Sequence, residues 1–365
     1  MNIALVHDWL TNMAGAERVL LQLLSIYPEA DVYTSIYDPQ KCPAFEKHHV
    51  QTTYLQNHAI FRKYREALVP YTPLAFESLD LSNYDMVISN TTFAAKGVIT
   101  KPETIHICYC HTPTRYLWEP ELDDRASRGM FSSFRKKVAH NLRIWDRVAA
   151  ERPDYYLGNS ETVKKRIKKY YKRDAVVVYP PVDIDRFQYD PETVIDDYFL
   201  FVSRLIGYKR ADLVVEAFNE LNLPLKIIGS GPEETKLRKI AGNNIEFLGK
   251  LSDEDLTKYY AGAKAFIFPA EEDFGIVPVE AMACGRPVIA YGRGGAAETV
   301  IDGKTGLHFK PQTVDALVAA VKKFNPNDYD GAEIRRQAEK FSNHRFEIKF
   351  SETVDNMIEK FKNMQ

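Results

Sequence analysis

The sequence predicts an α/β protein built from two doubly wound, Rossmann-like domains. Three observations lead to this fold class. The first residues read as strand, glycine-containing loop and helix, and the same order of elements restarts near Tyr198, after Pro180 and Pro181. The chain has 365 residues, which suits two domains of about 150–200 residues better than one. We therefore expect a first domain over residues 1–180 and a second over residues 181–345.

Composition indicates an ordinary globular protein. The chain is 45% hydrophobic and 27% charged, which excludes a disordered class, and its net charge of −2 gives no reason to expect nucleic acid as a partner. Its four cysteines lack the spacing of a metal site and are expected to be reduced, as in the cytoplasm. The first residues lack the features of a signal peptide, and no apolar run of about 18 residues predicts a membrane span.

The first domain is expected to contain short apolar strands, each followed by polar or helical sequence, as in parallel strands that are buried on both faces. These strands are 2–6, 31–36, 50–54, 84–89, 104–109, 155–159 and 176–179. A helix should run from Gly15 to about Tyr27. Between residues 57 and 76 we expect a helix to about Leu68 and then a loop, because Pro70 and Pro73 interrupt the helical pattern. The aromatic residues of this segment either belong to the core or face a lipid.

Two segments of the first domain are predicted to be basic helices, residues 132–150 and residues 162–173. In the first, Asp146 is the acid that opposes the basic side chains, and the second is expected to begin after Asn159 or Ser160 as a cap. One interpretation is a solvated face over an apolar stripe. The other is attraction to an anionic membrane surface, at about 1 kcal/mol per Lys or Arg near the headgroups. Because the net charge of the whole chain is near neutral, the basic residues are concentrated in this half, and that asymmetry favours peripheral contact at the inner face of the membrane.

A histidine follows the strand expected at residues 104–109. It is His111 in the sequence YCHTPTRY. Residues just beyond the carboxyl ends of parallel strands lie where α/β proteins bind ligands, so His111 is a candidate for the site. The alternative is a histidine in a structural loop. Arg115 is a weaker candidate, for binding an anionic substrate.

In the second domain, strands are expected at residues 198–203, 225–228, 244–248, 265–268 and 287–290, and helices at 210–221, 313–324, 333–341 and 346–361. Arg204 and Lys209 follow the first of these strands, on the expected ligand side. A guanidinium fork and an ammonium together suit a diphosphate. The glycine-rich loop that begins at Gly229 is a weak signal by itself.

The segment from residue 263 to residue 298 carries the strongest signal. It reads as strand, loop and a short helix from about Val277, in which Pro278 suits the first turn and Gly285 a left-handed stop. Gly275 permits close approach of a ligand to the backbone, and the helix N-terminus can hold a phosphate. Glu272 and Glu280 lie on either side of that position.

This arrangement of two acids around a phosphate-binding turn suits a ligand with hydroxyls on both sides of a diphosphate, which is a nucleotide sugar. The alternative is that Glu280 is a solvated helix residue and Gly275 an ordinary turn.

The sequence EDFGIVPVE from Glu272 to Glu280, followed by AMACGRPVIA, resembles the E-x7-E signature of retaining glycosyltransferases with the GT-B fold, of the glycosyltransferase family 4 type. It is similar to bacterial GDP-mannose-dependent mannosyltransferases of polysaccharide and O-antigen assembly. The resemblance covers nearly the whole chain. It implies that the two domains face each other across a cleft and that the last helix, about 346–365, crosses back onto the first domain.

The resemblance also implies roles for individual residues. His111 would contact the donor sugar, Arg204 and Lys209 the diphosphate, Glu272 the sugar hydroxyls and Glu280 the ribose. The family usually has two glycines where this chain has Ala14 and Gly15, in the loop near the donor diphosphate. The remaining expected donor-binding residues are Gly15, Gly249, Leu251, Phe274, Gly275, Ile276 and Val277.

The resemblance implies a nucleotide-diphosphate sugar as donor, GDP-mannose first and a UDP- or ADP-sugar as the alternative. No metal is implied, because cationic side chains and a helix N-terminus would stabilise the diphosphate. Asp183 and Asp185 match a two-acid metal motif but lie at the expected hinge. The implied acceptor is a lipid-linked or lipopolysaccharide-type glycan. Two other classes stay open: a catalytically silent nucleotide-sugar-binding subunit, and another GT-B enzyme such as an epimerase or a glycan phosphorylase.

Overall fold

A computed structural model of the protein describes residues 1–58, 68–119 and 132–364. Contacts within the chain divide it into two compact units. Unit 1 comprises Met1–Pro181 together with Phe346–Gln365, and unit 2 comprises Val182–Arg345.

Unit 1 contains a seven-stranded parallel sheet in the order β3-β2-β1-β4-β5-β6-β7. Its strands are β1 (Ile3–His7), β2 (Asp31–Thr34), β3 (Val50–Thr52), β4 (Met86–Thr91), β5 (Ile105–Cys110), β6 (Tyr155–Gly158) and β7 (Val176–Val177). The strand order reverses between β1 and β4, where doubly wound sheets open a crevice at the carboxyl ends of the strands. The register of this pair places His7 opposite Asn90.

Unit 2 contains a six-stranded parallel sheet in the order β10-β9-β8-β11-β12-β13. Its strands are β8 (Phe199–Val202), β9 (Leu225–Ile228), β10 (Ile245–Gly249), β11 (Ala265–Phe268), β12 (Val288–Tyr291) and β13 (Gly306–Phe309). The order reverses between β8 and β11, so the loops that follow these two strands meet at the second crevice. The two predicted doubly wound sheets are therefore confirmed.

Helices cover both sheets. In unit 1 they are Gly15–Ile26, Thr72–Glu77, Arg115–Trp118, Ser132–Ala149 and Glu161–Arg166, the last continued by a π-helical turn, Ile167–Tyr171. In unit 2 they are Ala211–Leu221, Glu234–Ile240, Asp253–Gly262, Ile276–Ala283, Ala296–Thr299, Val314–Lys323 and Gly331–Glu339. The final helix, Asn343–Lys362, packs Phe346, Phe350, Val354 and Met357 into the core of unit 1.

The segment after Leu68 differs from the expected loop, since it contains the helix Thr72–Glu77. Pro73 lies in the first turn of this helix, where the backbone N–H that proline lacks has no intrahelical acceptor. Of the aromatic residues here, Phe76 is buried and Tyr71 is 53% exposed. The helix expected before Leu68 falls largely outside the described residues.

The basic helix Ser132–Ala149 also differs from the expectation in one respect. Asp146 is fully buried and does not offset the basic surface. It accepts hydrogen bonds from Lys96 Nζ at 2.6 Å, Thr114 Oγ1 at 2.9 Å and Trp118 Nε1 at 2.7 Å. The acid therefore anchors the inner side of the helix.

The second basic helix begins where Ser160 caps it, with its Oγ accepting from the Val163 amide at 3.0 Å. Lys165, Lys168, Lys169 and Lys172 are exposed along this segment. In the described part of the chain, no helix combines the length and apolar character that crossing a membrane requires.

Candidate functional site

The crevice of unit 2 brings together charged residues from the loops after β8 and β11. Lys209 ends the short turn Gly207–Lys209, and its ammonium forms an ion pair with the Glu272 carboxylate. These two side chains are only 13% and 18% exposed. Arg204 lies in the same loop as Lys209 and is exposed. The structure thus places a cationic pair and an acid on adjacent loops of one crevice.

Close backbone contacts fix the loop that carries Glu272. The Gly295 amide donates to the Glu272 carbonyl oxygen at 2.8 Å. A Cβ added at Gly295 would lie 2.2 Å from the Phe274 Cα, and one at Gly294 would lie 2.3 Å from the Glu272 carbonyl oxygen. Only glycine allows this approach, so the loop after β12 acts as a template for the loop after β11.

Glycines support the Arg204 loop in the same way. A Cβ at Gly229 would lie 1.9 Å from the Ser203 carbonyl oxygen, and one at Gly231 would lie 2.3 Å from that of Leu205. The Leu205 amide donates to the Ser230 carbonyl at 3.1 Å. The glycine-rich loop that was a weak signal in the sequence therefore packs against both neighbours of Arg204.

Gly275 has a left-handed φ of +82°, and the helix Ile276–Ala283 begins immediately after it. The first-turn amides of a helix lack intrahelical acceptors, so Ile276 and Val277 stand at a potential anion site. Both are partly exposed. Phe274 is buried, with its ring edge-on to Phe341 at 5.5 Å between centroids.

Glu280 is buried on the same helix, so the interpretation of a solvated helix residue is wrong. The Tyr260 hydroxyl, which is itself fully buried, donates to Glu280 Oε2 at 3.0 Å. Burial and the nearby Glu280 carboxylate raise the pKa of Tyr260 well above its ordinary value. Tyr260 therefore stays a hydrogen-bond donor to Glu280 at any physiological pH.

At the end of β10, Gly249 adopts a left-handed φ of +70° and its carbonyl accepts from the Gly229 amide at 2.7 Å. Leu251 follows in the same loop and is partly buried. These residues lie at the carboxyl edge of the sheet that also carries the loop of Arg204.

In unit 1, His111 follows β5 and is buried. Its Nε2 lies 2.6 Å from Asn90 Oδ1, and its ring packs edge-on against Tyr109 with 5.1 Å between centroids. Asn90, at the end of β4, is fully buried and also donates from Nδ2 to the Ala16 carbonyl at 2.9 Å. Sequence reasoning missed Asn90, which belongs to no motif.

A buried acid and a histidine lie beyond Asn90. His7 Nδ1 is 2.8 Å from the Asn90 carbonyl oxygen, and His7 Nε2 is 3.5 Å from Glu17 Oε1. Burial alone lowers the pKa of His7, but Glu17, Asp8 and the Asn90 carbonyl raise it above its ordinary value. Burial alone raises the pKa of Glu17, but His7 and the amides around it lower it. The two shifts favour the charged forms of both groups, so they form a buried ion pair when His7 is protonated.

Gly15 begins the helix that carries Glu17. Ala14, where the family has a further glycine, has an ordinary extended backbone with φ −141°. Its amide donates to Glu17 Oε2 at 2.9 Å. Alanine is therefore compatible with this loop.

The expected site residues fall into two groups. Arg204, Lys209, Glu272 and Glu280 surround the crevice of unit 2, while Gly15 and His111 stand beside that of unit 1. Within the described ranges, no group of three or more His, Cys, Asp or Glu side chains could hold a metal ion.

Comparison with known families accounts for almost the whole chain. Residues 13–186 match the family described as Glycosyltransferase Family 4, and residues 183–342 match Glycosyl transferases group 1.

Two relatives illustrate the similarity. The O-antigen chain mannosyltransferase C of Escherichia coli is 26% identical over 96% of this chain and 93% of its own length. The GDP-mannose-dependent alpha-(1-6)-phosphatidylinositol monomannoside mannosyltransferase of Mycolicibacterium smegmatis is 35% identical, over 39% of this chain and 44% of its own length. Another relative matches over 50% of its length. The chain thus spans about half or less of some curated relatives and nearly all of others.

Among solved structures, Anabaena Alr3699/HepE in complex with UDP superimposes with a TM-score of 0.70, at 20% identity, over 98% of this chain and all of that one. At this identity the likeness bears on the fold alone, which is the two-domain GT-B fold.

Proposed function

Since both halves of the sequence match these families, the chain belongs to the family 4 type of glycosyltransferases with the GT-B fold, and we propose that it is a retaining enzyme that transfers mannose from GDP-mannose to a glycan. The observation that carries the proposal is the crevice of unit 2, where Lys209 and Glu272 pair beside the turn at Gly275. A site for a nucleotide sugar needs cations for the diphosphate and acids for the hydroxyls, and this crevice supplies both.

The donor diphosphate would lie against Arg204, Lys209 and the first-turn amides at Ile276 and Val277. As the bond from the sugar to the diphosphate breaks, negative charge develops on the leaving oxygen. Fixed cations and amide dipoles stabilise that charge more in the transition state than in the substrate. The glycine contacts around Arg204 hold its backbone in place, so the loop that carries Arg204 needs little reorganisation during the reaction.

Glu272 and Glu280 would bind the two ends of the donor. Glu272 would accept hydrogen bonds from sugar hydroxyls when Lys209 turns to the diphosphate. Glu280, buried and bonded to Tyr260, would accept from the ribose hydroxyls, while Gly249 and Leu251 would border the base. Phe274 and Gly275 would shape the turn between the two acids.

His111 would contact the donor sugar, and Gly15 would lie near the donor diphosphate. Retention would follow if the acceptor oxygen bonds to the anomeric carbon on the face that the diphosphate leaves. The acceptor hydroxyl would pass its proton to the departing phosphate oxygen. No metal takes part in this scheme, so EDTA should leave transfer unchanged, and a strict metal requirement would contradict it.

The choice of GDP-mannose rests on relatives that are named mannosyltransferases, one of them named as GDP-mannose-dependent. A UDP-sugar is the second candidate, because a structural neighbour was solved with UDP. An ADP-sugar is the third.

The acceptor would be a lipid-linked or lipopolysaccharide-type glycan, used at the inner face of the cytoplasmic membrane. Exposed Lys136 and Lys137 on the helix Ser132–Ala149, together with the exposed lysines after Ser160, favour contact with anionic headgroups. Ile144 and Val148 on the same helix are each 55% exposed and could enter the headgroup region.

Thermal denaturation with GDP, UDP, ADP and their sugar conjugates tests the donor. A ligand that binds only the folded protein stabilises it by about 2.7 kcal/mol at a hundredfold excess over Kd. We expect the largest shift with GDP and GDP-mannose. A shift only with UDP or ADP compounds would mean that the donor is a UDP- or ADP-sugar and not GDP-mannose.

Enzymatic assays separate the remaining classes. Slow hydrolysis of the bound donor is expected, and its complete absence would favour a silent subunit. Conversion of the donor to another sugar nucleotide without an acceptor would instead indicate an epimerase.

A further inference from the structure

The buried network behind His111 connects four side chains from different parts of unit 1. His111 follows β5, Asn90 is the last but one residue of β4, His7 ends β1, and Glu17 lies in the helix Gly15–Ile26. All four are buried. We propose that Asn90 is a positioning residue that fixes His111 as the tautomer with its proton on Nε2, and that the Glu17–His7 pair holds Asn90 in the required place.

The orientation of the Asn90 amide follows from its neighbours. The Ala16 carbonyl oxygen, 2.9 Å from Asn90 Nδ2, can only accept, so the amide nitrogen must face it. Asn90 Oδ1 then faces His111 Nε2 at 2.6 Å. Because Oδ1 is an acceptor, Nε2 must carry a proton, and the opposite tautomer would bring two acceptors together.

The backbone of Asn90 is held by a second histidine. His7 Nδ1 lies 2.8 Å from the Asn90 carbonyl oxygen, to which it donates when protonated, and 3.1 Å from Asn90 Nδ2. Glu17, 3.5 Å from the other ring nitrogen, favours the protonated form of His7. Pairing of β1 with β4 already sets His7 opposite Asn90, so this bond strengthens a register that the sheet provides.

The consequence concerns the second nitrogen of His111. A neutral ring with its proton on Nε2 carries a lone pair on Nδ1. Any ligand hydroxyl that meets Nδ1 must then be a donor. This part of the inference rests on the proposed function, in which His111 contacts the donor sugar, whereas the tautomer itself does not.

Ring-nitrogen NMR of the full-length protein with ¹⁵N-labelled histidine tests the tautomer directly. The His111 signals are assigned by their loss in His111→Gln, at a pH where the ring is neutral. We expect wild-type His111 to show a protonated Nε2 and an unprotonated Nδ1. A protonated Nδ1 in the wild type would overturn the proposal without any need for a further variant.

Asn90→Ala tests the cause. We expect the Nδ1-protonated form of His111 to rise at least tenfold relative to wild type. Ser89→Ala is the matched control, because Ser89 is the preceding buried residue of β4 and its Oγ lies 2.9 Å from Nε2 of a different histidine, His106. That variant should change the His106 signals and leave those of His111 in place. An unchanged His111 tautomer in a folded Asn90→Ala protein would overturn the positioning role.

Kinetics with GDP-mannose distinguish the positioning role of Asn90 from the role of His111 in the reaction. If Asn90 positions the ring for catalysis, Asn90→Ala should lower kcat about tenfold while KM for the donor changes less than threefold. A changed tautomer with unchanged kcat would support the positioning role and contradict the proposed role of His111 in the reaction.

Discussion

In unit 1, His111 is held by buried side chains that bond to one another, whereas in unit 2 the charged residues stand on loops whose backbones pack against glycines. The Asn90 amide and the Glu17–His7 pair define the first environment. The contacts of Gly294 and Gly295 with the loop of Glu272 define the second.

The two units differ in whether side chains or the backbone hold the candidate residues in place. In unit 1 the side chain of His111 bonds to another side chain of the protein, that of Asn90. In unit 2 the backbone is fixed, and under the proposed function Lys209 and Glu272 would release each other when the donor binds. A rigid loop with adjustable charged ends suits the binding of a flexible diphosphate, because little backbone entropy is lost on binding.

The largest effect is expected from breaking the buried polar contacts of unit 1 at Lys96. Lys96→Met leaves Asp146 fully buried without its cation, which should cost about 3–5 kcal/mol of unfolding free energy. Urea denaturation measures this. The control is Lys164→Met, which removes a half-exposed pair with Glu161 and should cost less than about 1 kcal/mol. Equal costs for the two variants would contradict the importance of burial.

The backbone support in unit 2 is tested by Gly295→Ala. The added Cβ would overlap the Phe274 backbone, so we expect a loss of about 3 kcal/mol in stability and weaker donor binding. Gly303→Ala is the control, since Gly303 has a left-handed φ of +76° but open space around it. It should cost about 1 kcal/mol and leave donor binding intact. Normal donor binding in Gly295→Ala would refute the template role.

The charged group itself is tested by Glu272→Ala. Transfer should fall by about 100-fold or more if Glu272 binds the sugar in the transition state, while the melting temperature changes little. The neighbouring variant Glu271→Gln is the control, with activity expected near wild type. Steady-state kinetics would reject the role if Glu272→Ala retained normal kcat/KM.

A smaller effect is expected at Tyr260. Tyr260→Phe removes the hydroxyl that donates to Glu280 and keeps the ring, so the Glu280 carboxylate loses one hydrogen-bond donor. We expect donor affinity to fall about fivefold, equivalent to about 1 kcal/mol. Calorimetric titration with the nucleoside diphosphate measures this. Tyr259→Phe, one residue earlier on the same helix, should bind normally, and a similar loss there would point to a general disturbance of the helix.

The smallest effect is a change in the pH dependence of stability in Glu17→Gln. The raised pKa of His7 contributes stability below its ordinary value of 6.5, and this is lost as the pH rises through the folded-state pKa. The lowered pKa of Glu17 contributes stability above its ordinary value of 4.5, and this is lost as the pH falls. The wild type should therefore exceed the variant most between pH 4.5 and 6.5 in urea titrations. A difference that does not vary with pH would argue against a charged pair.

The sequence predicted those parts of the fold that depend on neighbouring residues. The bounds of β9 and β11 agree with the expected strands, and Gly285 has the expected left-handed backbone. Strand β13 was missed because its sequence GLHF is short and follows a turn rich in polar residues.

Features that depend on distant residues were not predictable in this way. Asn90 lies 83 residues from His7 and 21 from His111, and Tyr260 lies 20 residues from Glu280. Asp146 was misread for the same reason, because its partners Lys96, Thr114 and Trp118 lie on other elements. Helical spacing describes one face of one helix and contains no information about a buried partner elsewhere.

Unit 2 is, in topological terms, an insertion into unit 1, because the chain leaves unit 1 after Pro181 and returns at Phe346. The two ends of the insertion are neighbours, since the Val182 amide donates to the Phe341 carbonyl at 2.9 Å. A short linker could therefore replace the whole of unit 2 without stretching the chain. Cleavage of one connection would leave the two units joined covalently by the other, so release of either unit requires both connections to be cut.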